Sequence, residues 1–270
     1  MTAVTMPEAR NLPKFGGFSL GMIRLELRRM LRNRRTVIFT FVMPAVLLLL
    51  FGNNHTYKTT AAGGDGSTIA QTGNIAGYIM VSMAVYGAML ATTSGGAMVS
   101  VERAAGWSRQ LRLTPLKPIA YIAVKIVLAM TIGLVSVVIA NLVGAGIGAK
   151  LPSLGVWLTC ALLAWVCALV FAAFGLFMGY LLPSENVMQI LGPVLAVLSF
   201  AGGLFVPVDQ LGHTFATIAK FTPVYGVGEI ARYPLTHDGN LWLAALNVVV
   251  WTALFSAGAM WRFRRDTARV

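Results

Sequence analysis

Charged side chains are scarce in this chain: Asp, Glu, Lys and Arg make up 11% of 270 residues, and only 9 are acidic. Soluble domains carry about 25% charged residues, so a water-solvated globule is excluded. The stretch 75–101 has no Asp, Glu, Lys, Arg or His at all. Strict alternation of apolar and polar positions is missing too, which argues against a transmembrane β-barrel. No glycine-rich phosphate loop ending in Lys-Ser/Thr occurs, so the chain has no P-loop for a nucleotide. A nucleophile elbow and a metal-type His pair are absent as well. His55, His213 and His237 fall in three separate polar segments and read as surface residues. No apolar run holds an Asp or Glu near its middle, the group that ion-coupled carriers place at the bilayer centre. The same absence disfavours a membrane-embedded enzyme. The only cysteines, Cys160 and Cys167, stand seven apart in one apolar run. They share a helix face, cannot bridge each other there, and read as packing residues.

What is abundant is apolar sequence: 57% of residues, with a mean hydropathy of +0.75. A helix needs ~20 apolar residues to cross a hydrocarbon core. Six runs qualify as candidates, at about 36–51, 73–101, 118–148, 154–182, 187–206 and 241–261. The expected fold class is therefore an all-α integral membrane protein with six transmembrane helices. The net charge of +12 follows topology rather than a patch, because 17 of the 21 Lys and Arg fall before the first run, after the second or after the sixth. By the positive-inside rule those segments, and both termini, are cytoplasmic. Residues 1–19 read as a cytoplasmic lead, 20–35 as an interfacial elbow helix and 36–270 as the transmembrane domain.

In the elbow, Leu20, Ile23, Leu27 and Met30 with Leu31 form an apolar stripe beside a basic one of Arg24, Arg28 and Arg32. Such a helix suits the membrane interface, with its arginines near anionic head groups. It serves there as a positive anchor or, in addition, as a contact for a cytoplasmic partner. The second run carries Tyr78, Ser82, Tyr86 and Met89 along one face, either for packing or for lining a substrate path. Gly144-x-x-x-Gly148 and Gly175-x-x-x-Gly179 permit close helix approach. Lys125, about two turns from the inner end of the third run, is expected to snorkel to the head groups. Ser184 is placed to cap the fifth helix. The stretch 207–234 is too polar to cross and too apolar for a free loop; it predicts two short helices that re-enter the outer leaflet, with Glu229 and Arg232 pairing on the surface.

The segment 101–125, VERAAGWSRQLRLTPLKPIAYIAVK, is charged and carries Trp107 between two long apolar runs. Its helical spacing predicts a short docking helix. Here the chain resembles the permease subunits of the type-2 ATP-binding-cassette (ABC) exporter family, which includes bacterial drug, lipid and polysaccharide exporters. Glu102-Arg103-x-x-Gly106, then Arg109-Gln110-Leu111 and Thr114-Pro115-Leu116 with Lys125 beyond, is similar to the family's Glu-Arg-Glu-x-Gly-Thr and Leu-x-x-Thr-Pro pattern. Pro207, Leu211, Pro223, Tyr225, Glu229 and Arg232 resemble its re-entrant stretch. Ala104 and Trp107 replace the usual acidic residue and Thr, and Gly212 stands where Pro is common.

The resemblance implies that the second-to-third loop is a coupling helix seated in an ATPase subunit. Glu102, Arg103, Gly106, Trp107, Arg109, Gln110 and Leu111 would then be the coupling site. It further implies two ABC ATPase partners holding ATP and Mg, with no catalytic residue, cofactor or metal in this chain. A second permease chain, identical or a sister, would pair with it among the lipids of a bacterial plasma membrane. Tyr78, Ser82, Tyr86 and Met89, with Leu198, Ser199 and Phe200, would line the outward path of a drug, lipid or lipid-linked molecule. Nucleic acid is not an expected partner. An ATP-independent carrier or channel is the alternative, and it predicts flux without an ATPase.

Overall fold

The computed structural model describes residues 20–63, 67–106, 118–208 and 212–268. Among these the only β feature is an isolated bridge between Ala61 and Asn74. An amphipathic helix, α1 (Leu20–Arg32), comes first. The short α2 (Arg34–Val37), a π-helical turn over Ile38–Val42 and α3 (Met43–Gly52) follow as one rod, apolar from Ile38 onward. The turn has a cause in Pro44, whose ring cannot donate to the carbonyl four residues back and clashes with it. That carbonyl, on Thr40, instead accepts a hydrogen bond at 2.9 Å from the hydroxyl of Ser136 on a neighbouring helix.

Two small helices, α4 (His55–Thr59) and α5 (Ile69–Thr72), lead to α6 (Ile75–Ala104). Then come α7 (Pro118–Ile147), α8 (Leu154–Cys167), α9 (Leu169–Leu181) and α10 (Ser184–Ala201). The chain ends in α11 (His213–Ala219), α12 (Pro223–Thr236) and α13 (Leu241–Ala268). Among the described residues four stretches are long and apolar enough to span a bilayer: α6, 121–147 within α7, α8 with α9, and 241–265 within α13. Two shorter apolar helices, Ile38–Gly52 and Gln189–Ala201, stand beside them. The protein is a multi-pass, all-α membrane protein. α10 starts at Ser184 with Pro183 at the N-cap and no side-chain cap, so Ser184 lies inside the helix and does not cap it.

Helix α6 is the axis of the bundle, packed by α3, α7, α8, α9, α10 and α12. Its small residues make that crowding possible. A Cβ on Gly175 would sit 2.2 Å from the Thr93 carbonyl oxygen, one on Gly96 2.6 Å from the Leu176 nitrogen, and one on Gly179 3.2 Å from Ala97. The second small-residue motif is thus a backbone-to-backbone seam between α9 and α6. The first is only half of one: Gly144 makes room for the Met80 side chain, while Gly148 lies past the end of α7. Helix α13 is peripheral, packed on α9 and α12, and it exposes Trp242, Leu246, Val249 and Leu254. In a bilayer such a face meets lipid, which dissolves it as water would not.

At one end of α6, Asn74 is fully buried and fully used. It caps the helix by accepting from Gly77 at 2.9 Å, accepts from the Lys150 backbone at 2.8 Å, and donates to the Lys58 and Gly148 carbonyls at 3.0 Å each. The opposite end lies beside α1 and the last turns of α9 and α13, where Arg24, Arg28, Arg29, Arg32, Arg264 and Arg265 are exposed. We refer to it as the basic end.

Candidate functional site

At the basic end, three elements bring charge into the interior. Lys125 of α7, 1% exposed, is the largest fully buried side chain among the described residues. Its ammonium donates to one carboxylate oxygen of Glu102 on α6, and the Tyr121 hydroxyl donates to the other. The second counter-charge is Glu26 of α1, 3.2 Å from the Lys125 Nζ. Arg29, itself mostly exposed, reaches to 3.9 Å of Glu102. Lys125 therefore does not snorkel. Two carboxylates meet the ammonium inside the protein, so it has no need of lipid head groups.

Around this cluster two residues of the apolar stripe of α1 dock on the bundle. Met30 packs with Ala91 of α6 and Leu128 and Ile132 of α7, and Leu27 joins them at the edge. Arg24, Arg28 and Arg32 face outward, as the basic stripe predicts.

The expected coupling residues divide at this point. Glu102 is 3% exposed and faces α7 and α1. Arg103 turns the other way and donates from Nη1 to the Gly179 and Tyr180 carbonyls, at 3.2 and 3.1 Å. These are C-terminal carbonyls of α9, where a cation is favoured by the helix dipole and by unsatisfied oxygens. The same guanidinium lies 5.4 Å from the Tyr180 ring centre. Gly106 has φ +72, a left-handed conformation that ends α6 where a Cβ would be strained. So Glu102, Arg103 and Gly106 build the root of the loop and fix it to the bundle. Trp107, Arg109, Gln110 and Leu111 lie outside the described residues.

At the other end, the two helices expected within 207–234 are present as α11 and α12. Glu229 and Arg232 do pair, at 2.9 Å, but the guanidinium is buried at 3% exposure rather than solvated. Arg232 Nη1 also donates to the Ser82 hydroxyl at 3.3 Å and to the Gly203 carbonyl at 3.1 Å. Its guanidinium carbon stands 5.0 Å from the Tyr78 ring centre. Gly203, at φ +75, is where the chain unwinds after α10, and that freed carbonyl needs a donor in an apolar setting. The pair α11–α12 is held to α13 as well: Asn247 donates to the Lys220 and Thr222 carbonyls at 2.8 and 3.1 Å, and Trp251 to the Phe221 carbonyl at 3.0 Å.

Between the two ends lies the polar-aromatic face of α6. Ser82 and Met89 are fully buried, Tyr86 is nearly so, and Tyr78 is half-buried beneath Arg232. Its hydroxyls bond back to their own helix, Ser82 to the Tyr78 carbonyl at 3.1 Å and Thr92 to that of Ala88 at 2.9 Å. On α10, Ser199 does the same toward Leu195 at 2.7 Å, Leu198 is half-buried and Phe200 is exposed. The two sets meet through Phe205, a residue that sequence reasoning missed. Its ring centre is 5.0 Å from Tyr86 and 5.5 Å from Phe200. Glu26, Tyr121 and Lys125 were missed as a set too, since Glu26 lies nearly a hundred residues before the other two in the chain.

Comparison with known proteins adds two findings. A family model described as ABC-2 type transporter matches residues 20–235. A protein of Bacillus subtilis (strain 168), YvfS, which carries the name of a transport permease, is 28% identical over 232 residues, covering 85% of this chain and 90% of its own length.

Proposed function

Because this chain belongs to the ABC-2 type transporter family, we propose that it is the membrane permease of an exporter driven by a separate ATPase. It is a transport subunit rather than an ATPase itself. On this reading the rod 38–52, the stretch 189–201 and the four long helices make six passes, with the basic end and both termini in the cytoplasm of a bacterial plasma membrane. The distribution of Lys and Arg supports that orientation. Two ATPase subunits, holding ATP and Mg, serve two permease chains, identical or sister. The segment 107–117, with Trp107, Arg109, Gln110 and Leu111, docks in the ATPase.

One observation carries the reading: the fastening of the loop root. Arg103 is bonded to the end of α9 and Glu102 to Lys125 of α7. A push on the loop is therefore not absorbed where the loop begins. It passes into α6 and α7, rods of 30 residues each. The cargo is a hydrophobic or amphiphilic molecule, a drug, lipid or lipid-linked compound. It moves along Tyr78, Ser82, Tyr86 and Met89 and past Leu198, Ser199 and Phe200 once Phe205 swings aside.

The test is ATP-dependent accumulation of a fluorescent amphiphile in inside-out vesicles holding the complex with its co-purified ATPase. Trp107→Ala is expected to retain insertion while losing ATP-driven uptake. Uptake that persists without ATP or without the ATPase would overturn the reading in favour of an independent carrier. Labelling of a cysteine placed at Arg109 by an impermeant reagent in intact cells would overturn the orientation.

A further inference from the structure

We infer that Lys125 and Glu26 are positioning residues that make α1 move as one body with the loop-bearing ends of α6 and α7. This rests on the coupling role proposed above and extends it to an element that the loop does not belong to. The loop root alone would transmit force to α6 and α7 only. Lys125 changes that, because its ammonium is shared between Glu102 of α6 and Glu26 of α1 while its own helix supplies Tyr121.

The arrangement is close to all or none. Lys125 is 1% exposed and the side chains of Glu102 and Glu26 are 4% and 13% exposed, so water reaches Glu26 only in part and the other two hardly at all. A buried ion left without its partner is strongly disfavoured, which ties the presence of α1 to the integrity of the α6–α7 pair. Among the described side chains of this 13-residue helix, Leu27 and Met30 make the apolar contact, and the ionic fastener adds a charged tie beside them. Downstream, α1 is separated from the first apolar rod by Asn33 alone. A displacement delivered to α1 therefore reaches α2, the π-helical turn and α3, and the first three passes respond together.

Pulsed electron-spin distance measurement tests this. Spin labels go on cysteines replacing Arg24, exposed on α1, and Val127, exposed on α7, in a chain with Cys160 and Cys167 changed to Ala. The labelled complex with its ATPase is studied in lipid nanodiscs, with and without ATP and vanadate. The expected result is a single narrow distance that nucleotide trapping leaves in place. Glu26→Gln is expected to lose that narrow peak, and Glu26→Asp, which keeps the charge, to retain it. Leu27→Ala separates the ionic fastener from apolar packing. A Glu26→Gln peak as narrow as the parent's, or loss of the peak in Leu27→Ala with retention in Glu26→Gln, overturns the inference. So does a parent distance that shifts on trapping. If no ATPase co-purifies, the functional reading fails by itself, and the nucleotide-free comparison of parent with Glu26→Gln still tests the fastener.

Discussion

The two ends of α6 are each held by a buried cation, and they are held in different ways. At the basic end, Lys125 is met by formal charges from two other helices, and Tyr121 adds a donor to one of them. At the far end, Arg232 is met by one carboxylate from its own helix, a serine hydroxyl, a backbone carbonyl and an aromatic face. Ser82 and Glu102 are twenty residues apart, about 30 Å along a helix. The basic end is a closed charge set, in which each ion's surroundings depend on the others. The far end is an open one: Glu229 keeps 23% of its side chain accessible, so it can be hydrated if Arg232 lets go. A fixed joint suits the end where force would enter. A joint with an escape route would suit the end that, on the proposed reading, loosens for cargo to leave.

Substituting the two cations tests that difference. Lys125→Met leaves Glu102 and Glu26 with only the largely exposed Arg29, 3.9 Å from Glu102, as a counter-charge, and breaking a buried pair this way costs about 3–5 kcal/mol. The expected outcome in a denaturing-detergent titration followed by tryptophan fluorescence is a large loss of folded protein at low denaturant. Arg232→Met, the same kind of change at the far end, orphans the Gly203 carbonyl but leaves Glu229 able to take up water. A buried unsatisfied acceptor costs about 1–3 kcal/mol, so a loss of about 2 kcal/mol is expected in the same titration. If the two variants lose equal stability, the distinction between a closed and an open charge set is wrong.

Much of this was legible in the sequence, and what was not follows a pattern. Helices were legible because their cause is local: uninterrupted apolar runs, the basic residues that end them, and Pro223, which opens α12 at its first turn. The small-residue seam of Gly175 and Gly179 was legible as a motif, though not its partner, Thr93 to Ala97 of α6. Partnership is where reading along the chain stops. Lys125 and Glu102 were both conspicuous, yet Glu26 lies 99 positions before Lys125, and no local rule pairs them. Without that partner, snorkelling was the cheaper fate for a lysine two turns inside. Glu229 and Arg232 were legible as an i, i+3 pair, but burial of the pair depends on α6 presenting Tyr78 and Ser82 to it. The fastening of Arg103 to α9 was hidden for the same reason, since bare C-terminal carbonyls have no sequence signature. Phe205 lay one residue from the expected end of a span, where an aromatic residue looks like an interfacial anchor.

The finest test removes one hydroxyl from each end. Tyr121 donates to a carboxylate that has no exposed surface to spare, and hydrogen bonds to charged groups contribute about 1.5–3 kcal/mol. Tyr121→Phe keeps the ring against Val99, Leu176 and Tyr180, so its loss, expected near the low end of that range, reports the hydroxyl alone. Ser82→Ala removes an acceptor 3.3 Å from Arg232, which keeps Gly203 at 3.1 Å and Glu229 at 2.9 Å. A long bond with two alternatives at hand is expected to contribute about 0.5 kcal/mol, at the bottom of the net range for hydrogen bonds. The order Tyr121→Phe above Ser82→Ala in the same titration would show that the basic end depends on every one of its members while the far end tolerates a missing one. The reverse order would mean that Ser82 is a principal restraint on α12, and the far end would then be the more tightly set of the two.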